Sequence, residues 1–353
     1  MADFRQEFQQ LLEHTFISVK GSIKDQYNHM VSFLNKVIPN IPDQLFRYRK
    51  LDQEGHTLES FEKGTISLCK AKCFSDKYDS MIFVDAETEV KRMEGVSRIV
   101  LQDVIKSVKE RDPRVRPEKA SRLCYFLEQG MTEAELLDML LEEDRAGHLK
   151  EVRQALKRRE SRFRDSEITA RIACFTESIQ SKFMWDTYAD GYRGFALEYN
   201  LKEFAINCFN SGEPAYVFPV IYTDERPDLT IDEANYYVFE EFQKRGWLHK
   251  LEPFRPYLDV NMLSPHKPFL YKNKEEYAHE REWRILFYDE KAGEDYMELP
   301  DNGCLKAVYY GPDISRDDYE ALHKIALKKG IKEYRVSIDD TSRKYSLKID
   351  EAT

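Results

Sequence analysis

Three groups of side chains in this sequence have the types and spacing to do chemistry. The first is HEREWRILFY, near residue 280. Read as a strand from Glu280 to Tyr288, it puts Glu280, Glu282, Arg284 and Leu286 on one face and Arg281, Trp283, Ile285 and Phe287 on the opposite, apolar face. Two carboxylates in line with a guanidinium can act on a ligand, or they can form a buried Glu–Arg network that holds a sheet together. The second group is LFRYR, a short strand that projects Arg47 and Arg49 to one side and Phe46 and Tyr48 to the other. Two arginines on one face call for an anion, or for a pair of surface salt bridges. The third lies in IACFTESIQSKFMWDTYADGYRGFALEYN, residues 172–200. Trp185 and Tyr188 stand three apart and Tyr188 and Tyr192 four apart, so a helix that reached Tyr192 would gather three rings on one face. Aromatic stripes at that spacing are usually core, but Tyr and Trp carry polar atoms that want partners, and Gly191 and Gly194 let a backbone come close.

The elements that must position these groups are short strands with interspersed helices. Ile172, Cys174 and Thr176 fall on one face of a strand, and Gly194 to Tyr199 resumes a strand pattern after the breaker DGYRG. Upstream, Thr65 to about Cys69 reads as a strand that runs into a polar loop with Ser75, Asp76, Tyr78 and Asp79. Downstream, Ala215 to Thr223 reads as a strand with Pro219 inside it, hence an edge, followed by a helix from about Ile231 to Arg245 and an irregular segment from Trp247 to Leu270. The tail supplies a strand, a helix and a last strand pair. Apolar residues at helical intervals from Phe4 to Val37, stopped by Pro39 and Pro42, make residues 1–40 a helical appendage. Residues 41–353 form the core, interrupted at about 85–165 by a helical insert that carries no clustered ligands and reads as a cap or partner surface. The expected architecture is α+β, with small twisted mixed or antiparallel sheets.

Composition bounds the function classes. A chain of 353 residues with 42% hydrophobic and 13% aromatic content can bury a core, and its 33% charged residues with no long apolar run exclude a membrane span. No basic start followed by an apolar block marks a secretory signal, and six scattered cysteines read as reduced thiols, so the expected compartment is the cytoplasm. Cys69 and Cys73 sit close together but lack a histidine or a second pair, which favours small buried hydrophobes over zinc. A net charge of −10 argues against wholesale wrapping of nucleic acid; the basic run RAGHLKEVRQALKRRESRFR, residues 145–164, is the place where a polyanion or a protein acceptor could dock. The sequence leaves the oligomeric state open. No Walker loop, GxGxxG, HExxH, GxSxG or kinase signature is present, which removes the common nucleotide-hydrolase, zinc-protease and α/β-hydrolase readings.

Together, LFRYR, FSDKYDS, ACFTES, MWDTYADGYRGFALEY and HEREWRILF resemble the bacterial domain-of-unknown-function family twenty-nine seventy-one over roughly residues 41–338. The MW…YA…G and ExEWR parts are its specific ones. The chain departs from the pattern where the family's asparagine-aspartate-proline loop is Ser75-Asp76-Lys77 and where the serine of its third motif is Thr176. The motif order is also similar, more distantly, to the ADP-ribosyltransferases, which carry an arginine or histidine on an early strand, an aromatic or serine motif in the middle and a glutamate in a late ExE-like strand.

That resemblance implies NAD as substrate, no metal, and a role in antiviral defence or stress response. Breaking the bond between nicotinamide and ribose passes through an oxocarbenium-like state, so a carboxylate is needed beside the ribose; Glu282 takes that role and Glu280 polarises the acceptor. Arg47 and Arg49, with Tyr48 between them, suit the pyrophosphate. Tyr188, with Trp185 or Tyr192, would clamp the nicotinamide, Thr176 stands at the serine position of the third motif, and Arg284 belongs to the binding set or instead neutralises one of the glutamates within a buried Glu–Arg network. Two other readings use the same residues. One is a regulatory or defence protein that binds a nucleotide or nucleic acid without breaking a bond; the other is a nuclease in which Asp76, Asp79, Glu280 and Glu282 hold a divalent metal.

Overall fold

Runs of alternating or continuous apolar residues become strands: β1 (Leu45–Arg49), β2 (Thr65–Cys69), β3 (Ala170–Thr176), β4 (Phe195–Tyr199), β5 (Ala215–Pro219), β6 (Ile221–Thr223), β7 (Tyr271–Asn273), β8 (Glu282–Tyr288), β9 (Tyr296–Pro300), β10 (Leu305–Tyr310), β11 (Lys332–Ile338) and β12 (Leu347–Glu351). The computed structural model describes residues 4–111, 117–164, 170–244, 260–288 and 294–352. The class is α+β, with a mixed sheet that does not close. Among the described residues ten strands form that sheet in the order β12-β11-β10-β4-β1-β3-β2-β9, with β8 beside β3 and β5 beside β8, while β6 and β7 pair on their own. Pro219 cannot donate to a ladder, so the run Ala215–Thr223 divides there: β5 ends as an edge strand on β8 and β6 leaves for β7.

The sheet forks along β3. On one edge β3 pairs with β8 over its whole length, from Ala170↔Tyr288 to Thr176↔Glu282. On the other edge β1 meets it at Phe46↔Thr176 and β2 at Cys69↔Ile172. Continued in register, β1 and β2 would compete for the edge between those points, so they diverge and leave Ala173–Phe175 at the opening of the fork. One face of the sheet packs Leu45, Phe175, Leu197, Trp283, Ile285 and Val308 into the main core. The other packs Phe46, Tyr48, Trp185, Ala196 and Tyr309. Each large aliphatic or aromatic side chain buried in this way contributes about 1.5–3 kcal/mol.

The chain divides into two units, Met1–Met81 with Arg162–Pro227 and Asn261–Thr353, and Ile82–Ser161 with Asp228–Val260. In the first, the helix Phe4–His14 packs onto the sheet: Phe8 lies against Phe218 and Phe33, and Phe4 stacks on Trp283. The second gathers the helices Ala86–Lys109, Pro117–Glu128, Glu133–Asp144 and Lys150–Arg158 with Thr230–Lys244, so the insert near 85–165 is joined by a later segment. Leu123, Leu136, Leu140, Leu141 and Ile105 form its core, and a Thr132–Glu135 capping box starts one helix. The helix expected over 231–245 is described as Thr230–Lys244; Arg245 and residues 247–259 of the irregular segment lie outside the described residues. Among the described residues no helix is long and apolar enough to cross a membrane.

Candidate functional site

The fork opens onto a cavity of about 240 Å³. Phe46, Tyr48, Ile172, Cys174, Glu282 and Arg284 line it from the strands, and Phe74, Ser75, Asp76 and Asp79 from the loop after β2. Met184, Tyr188, Lys272, Tyr277 and Glu280 add to the lining, and Arg47 and Arg49 reach it from the fork.

The acidic side of this cavity follows from the β3–β8 register. Thr176 stands opposite Glu282 and Cys174 opposite Arg284, so the four side chains share a face. Arg284, 1% exposed, donates to both oxygens of Asp79 at 3.0 and 2.6 Å, to Glu282 Oε1 at 2.9 Å and to the Phe269 carbonyl at 2.7 Å. Lys272 Nζ donates to Glu280 Oε2 at 2.8 Å and Glu282 Oε2 at 3.3 Å, over the face of Tyr277. The Tyr188 hydroxyl donates to Glu280 Oε1 at 2.7 Å. The result is a chain of alternating charge, Asp79, Arg284, Glu282, Lys272, Glu280, that ends on a half-exposed phenol. Burial opposes the charge on Glu282, but Arg284 and then Lys272 outweigh it and hold its carboxyl at about 2. Burial likewise opposes the Lys272 ammonium, and Glu282 and Glu280 keep it above the ordinary lysine range. Cys174, a free thiol, is pushed well above its usual value by burial and then by Glu282, with which it hydrogen-bonds. A buried Glu–Arg network is therefore present here, whatever else the strand does.

Glu280 reaches this network by a different route from the one its spacing suggests. It is not on β8: Ala278–Glu280 is a 3-10 turn, and Arg281 takes a left-handed φ of 47° before the strand starts at Glu282. Thr176 is the support for that turn, since its hydroxyl donates to the Glu280 carbonyl at 2.5 Å; it does not line the cavity.

The rings also separate. Ser181 caps the helix Lys182–Tyr188, which stops there because Asp190, Gly191 and Tyr192 take φ of 53°, 60° and 68°. Tyr192 is consequently off the helix, with its hydroxyl on the Lys182 carbonyl, and Trp185 is fully buried, its Nε1 on the Ile179 carbonyl and its ring against the edge of Tyr48. The expectation that the three rings share a face is corrected: neither Trp185 nor Tyr192 lines the cavity, and Tyr188 does. The ring of Tyr48 lines it as well, but its hydroxyl is committed to the Ser178 carbonyl at 2.7 Å.

The basic side is built differently. By strand alternation Arg47 and Arg49 sit on the opposite face from Glu282, cross-strand from Leu197 and Phe195, and reach the cavity because the sheet is forked. Arg47 donates across the fork to the Ser67 carbonyl at 2.7 Å, and Arg49 approaches the Thr57 hydroxyl at 3.4 Å. Among the described residues neither forms an ion pair with a carboxylate. Burial, then the neighbouring Arg47, pull Arg49 down to about 10. Gly194 is required beside it, since a Cβ there would stand 2.2 Å from the Arg49 carbonyl oxygen.

Sequence reasoning missed Lys272, Cys174 and two arginines that hold the site from outside. Arg164, read as the end of the basic run, donates to the carbonyls of Asp76 at 2.5 Å, Asp79 at 3.2 Å and Phe74 at 3.2 Å, and so pins the loop that carries Asp79. Arg5 donates to the main-chain carbonyl of Glu282 at 3.2 Å and to Glu177 at 2.6 Å, which in turn accepts from Trp283 Nε1 and Arg281. The N-terminal helix is thus part of the support of β8. Within the run 145–164, Arg145 pairs with Glu94 and Glu142, Arg153 with Glu87, and Arg159 with Glu233 and Glu240. As for metal, Asp76, Asp79, Glu280 and Glu282 do not bring three ligand atoms together; among the described residues the grouping within 4.8 Å is Asp52, Glu54 and His56. Asp52 there caps the helix His56–Lys63 by accepting from the main-chain N–H groups of His56 and Thr57.

Comparison with known proteins adds one finding. No curated protein and no solved structure matches the chain. A family model described as a protein of unknown function, DUF2971, matches residues 184–285. That span is shorter than the resemblance over 41–338; it includes Tyr188, Lys272, Glu280, Glu282 and Arg284 and leaves out Arg47, Arg49 and Asp79. Over those residues the chain is similar to this family of unknown function.

Proposed function

We propose that the cavity binds the nicotinamide half of NAD and cleaves the bond between nicotinamide and ribose, passing ADP-ribose to a hydroxyl acceptor or to water. The observation that carries this reading is the distribution of charge around one cavity. Three carboxylates, Asp79, Glu280 and Glu282, face two cations, Lys272 and Arg284, on the β8 side, while two guanidiniums without a carboxylate partner stand two strands away on β1. Two strand spacings are roughly 10 Å. A ligand that matches carries a positive centre near β8 and negative charge near β1, and NAD has a pyridinium at one end and a pyrophosphate one ribose away from it.

The roles follow from the chemistry. Glu282 is ionised at every physiological pH, which suits a group that stabilises positive charge growing on the ribose and disqualifies it as a proton acceptor. Its oxygens accept from Arg284, Lys272 and Cys174, so a ribose hydroxyl would take the place of one of the two long 3.3 Å contacts on Oε2. The C–N bond breaks with its electron pair on nicotinamide, which leaves neutral; the acceptor oxygen attacks the sugar and its proton passes to Glu280. Tyr188 now occupies the place of that acceptor with its own hydroxyl, and its half-exposed ring offers a flat wall for nicotinamide. Arg47 and Arg49 take the pyrophosphate, and the adenosine extends beyond the 240 Å³ cavity.

The test is nicotinamide release from NAD by the full chain, alone and with cell extract, followed by the same assay on Glu282→Gln. The expected loss of rate is about 100- to 1,000-fold, with NAD binding retained. Binding without release in the unmodified protein would replace the reading by that of a nucleotide-binding regulator. Metal-dependent cleavage of RNA or DNA would replace it by that of a nuclease.

A further inference from the structure

We propose that Tyr188 is a specificity-determining residue of the cavity: its hydroxyl closes Glu280 to water, and an acceptor gains the use of that carboxylate by displacing it. Both oxygens of Glu280 are taken, Oε1 by the Tyr188 hydroxyl at 2.7 Å and Oε2 by Lys272 at 2.8 Å. Glu280 itself is 3% exposed. Its main chain is fixed as well, since Thr176 donates to its carbonyl and the left-handed Arg281 follows it. With the carboxylate enclosed in this way, a molecule that is to give a proton to Glu280 takes the place of one of the two donors.

The two donors are held unequally. The Lys272 side chain, 7% exposed, bonds Glu282 as well as Glu280 and lies over the ring of Tyr277, so removing it strands two carboxylates. Tyr188 is 42% exposed, and among the described residues its hydroxyl has Glu280 as its partner. It is the last residue of the helix Lys182–Tyr188, and a half-exposed side chain turns between rotamers without moving the backbone. Tyr188 is therefore the donor that yields. Its hydrogen bond to a charged group is worth about 10- to 100-fold in an equilibrium. Phe183, also exposed, stands between the rings of Tyr188 and His279, so an acceptor that docks on these rings gains contacts that offset the lost bond, whereas a lone water gains none. As a statement about turnover this rests on the proposed NAD reaction; as a statement about access to Glu280 it does not.

The test is Tyr188→Phe in the full chain, which removes the hydroxyl and keeps the ring. Nicotinamide release from NAD without cell extract is expected to rise about 10-fold over that of the unmodified chain. A water then bonds Glu280, gives its proton there and attacks the ribose, while the C–N bond breaks with its electron pair on nicotinamide. Damage to the fold lowers a rate, so a gain separates this role from a structural one; an unchanged or lower rate overturns the proposal. Access is read without NAD by labelling Glu280 with a water-soluble carbodiimide and glycine ethyl ester. Tyr188→Ala is expected to label about 10-fold faster than the unmodified chain, and equal labelling overturns the proposal; if that variant does not fold, the same labelling of Tyr188→Phe decides. If neither the unmodified chain nor Tyr188→Phe releases nicotinamide, with or without extract, the NAD reading fails and the labelling alone decides this one.

Discussion

On the β8 side of the cavity each cation lies between carboxylates; on the β1 side two guanidiniums stand side by side with hydroxyl and carbonyl partners. The β8 groups are buried and the β1 guanidiniums half-buried, yet both regions are charged, and the difference that matters most is one of pairing. It reflects which charges folding has already neutralised. The Asp79–Arg284–Glu282–Lys272–Glu280 chain is an internal structure whose rupture leaves buried charge uncompensated. The Arg47–Arg49 pair forms no ion pair with a carboxylate among the described residues, and Asp52 acts on Arg49 only from a distance. The first region should therefore dominate stability and the second should dominate binding.

The sharpest way to break this contrast is Arg284→Met, which strands Asp79 and Glu282 in the interior. The expected cost is about 3–5 kcal/mol in urea unfolding; a loss below 1 kcal/mol would mean that the network is dispensable. Next comes acid. Because the folded protein holds Glu282 at about 2 against an ordinary 4.5, its contribution is fully present above pH 4.5 and is lost as pH falls from there toward 2. That contribution amounts to about 3 kcal/mol, so thermal melts of Glu282→Gln should be lower than the unmodified protein at neutral pH yet flatter across this window. Stability alone cannot then separate the architectural and chemical roles of Glu282, which is why release and binding of the ligand must be measured. Arg5→Gln, which unties the N-terminal helix from the Glu282 carbonyl and Glu177, is expected to cost about 1–2 kcal/mol and to lower turnover more than binding. Smallest in stability is Arg49→Gln. Its unfolding free energy should stay within about 1 kcal/mol of the original, while NAD affinity by calorimetry falls about 10- to 100-fold. A large stability loss with unchanged affinity would invert the comparison.

What the sequence made legible was local. Alternation alone set Glu282 and Arg284 on one face of β8 and separated Arg47 and Arg49 from Phe46 and Tyr48 on β1. Two errors have one physical cause, which is left-handed backbone at residues other than glycine. Arg281 turned Glu280 off the strand, and Asp190 and Tyr192, flanking Gly191, ended the helix early and removed Tyr192 from its stripe. Spacing rules assume the regular dihedrals that these residues abandon. Lys272 was hidden because it sits on a three-residue strand paired in parallel with β6, too short to leave a periodic signal. Arg5 and Glu282 are 277 residues apart, and Arg164 was absorbed into a basic run that reads as a solvated face. The fork itself, which lets arginines from one face of the sheet reach a cavity on the other, arises from strand pairing that no single segment encodes.

The central claim is that a ligand with separated charge spans the two unlike sides of one cavity. A crystal structure of the full chain with a non-cleavable NAD analogue tests it directly. The account predicts nicotinamide and its ribose beside Glu282 and Tyr188, with the pyrophosphate in contact with Arg47 and Arg49. A dinucleotide bound in the reverse sense, with adenine in the β8 half and nicotinamide in solvent, or lying outside the fork altogether, would contradict it.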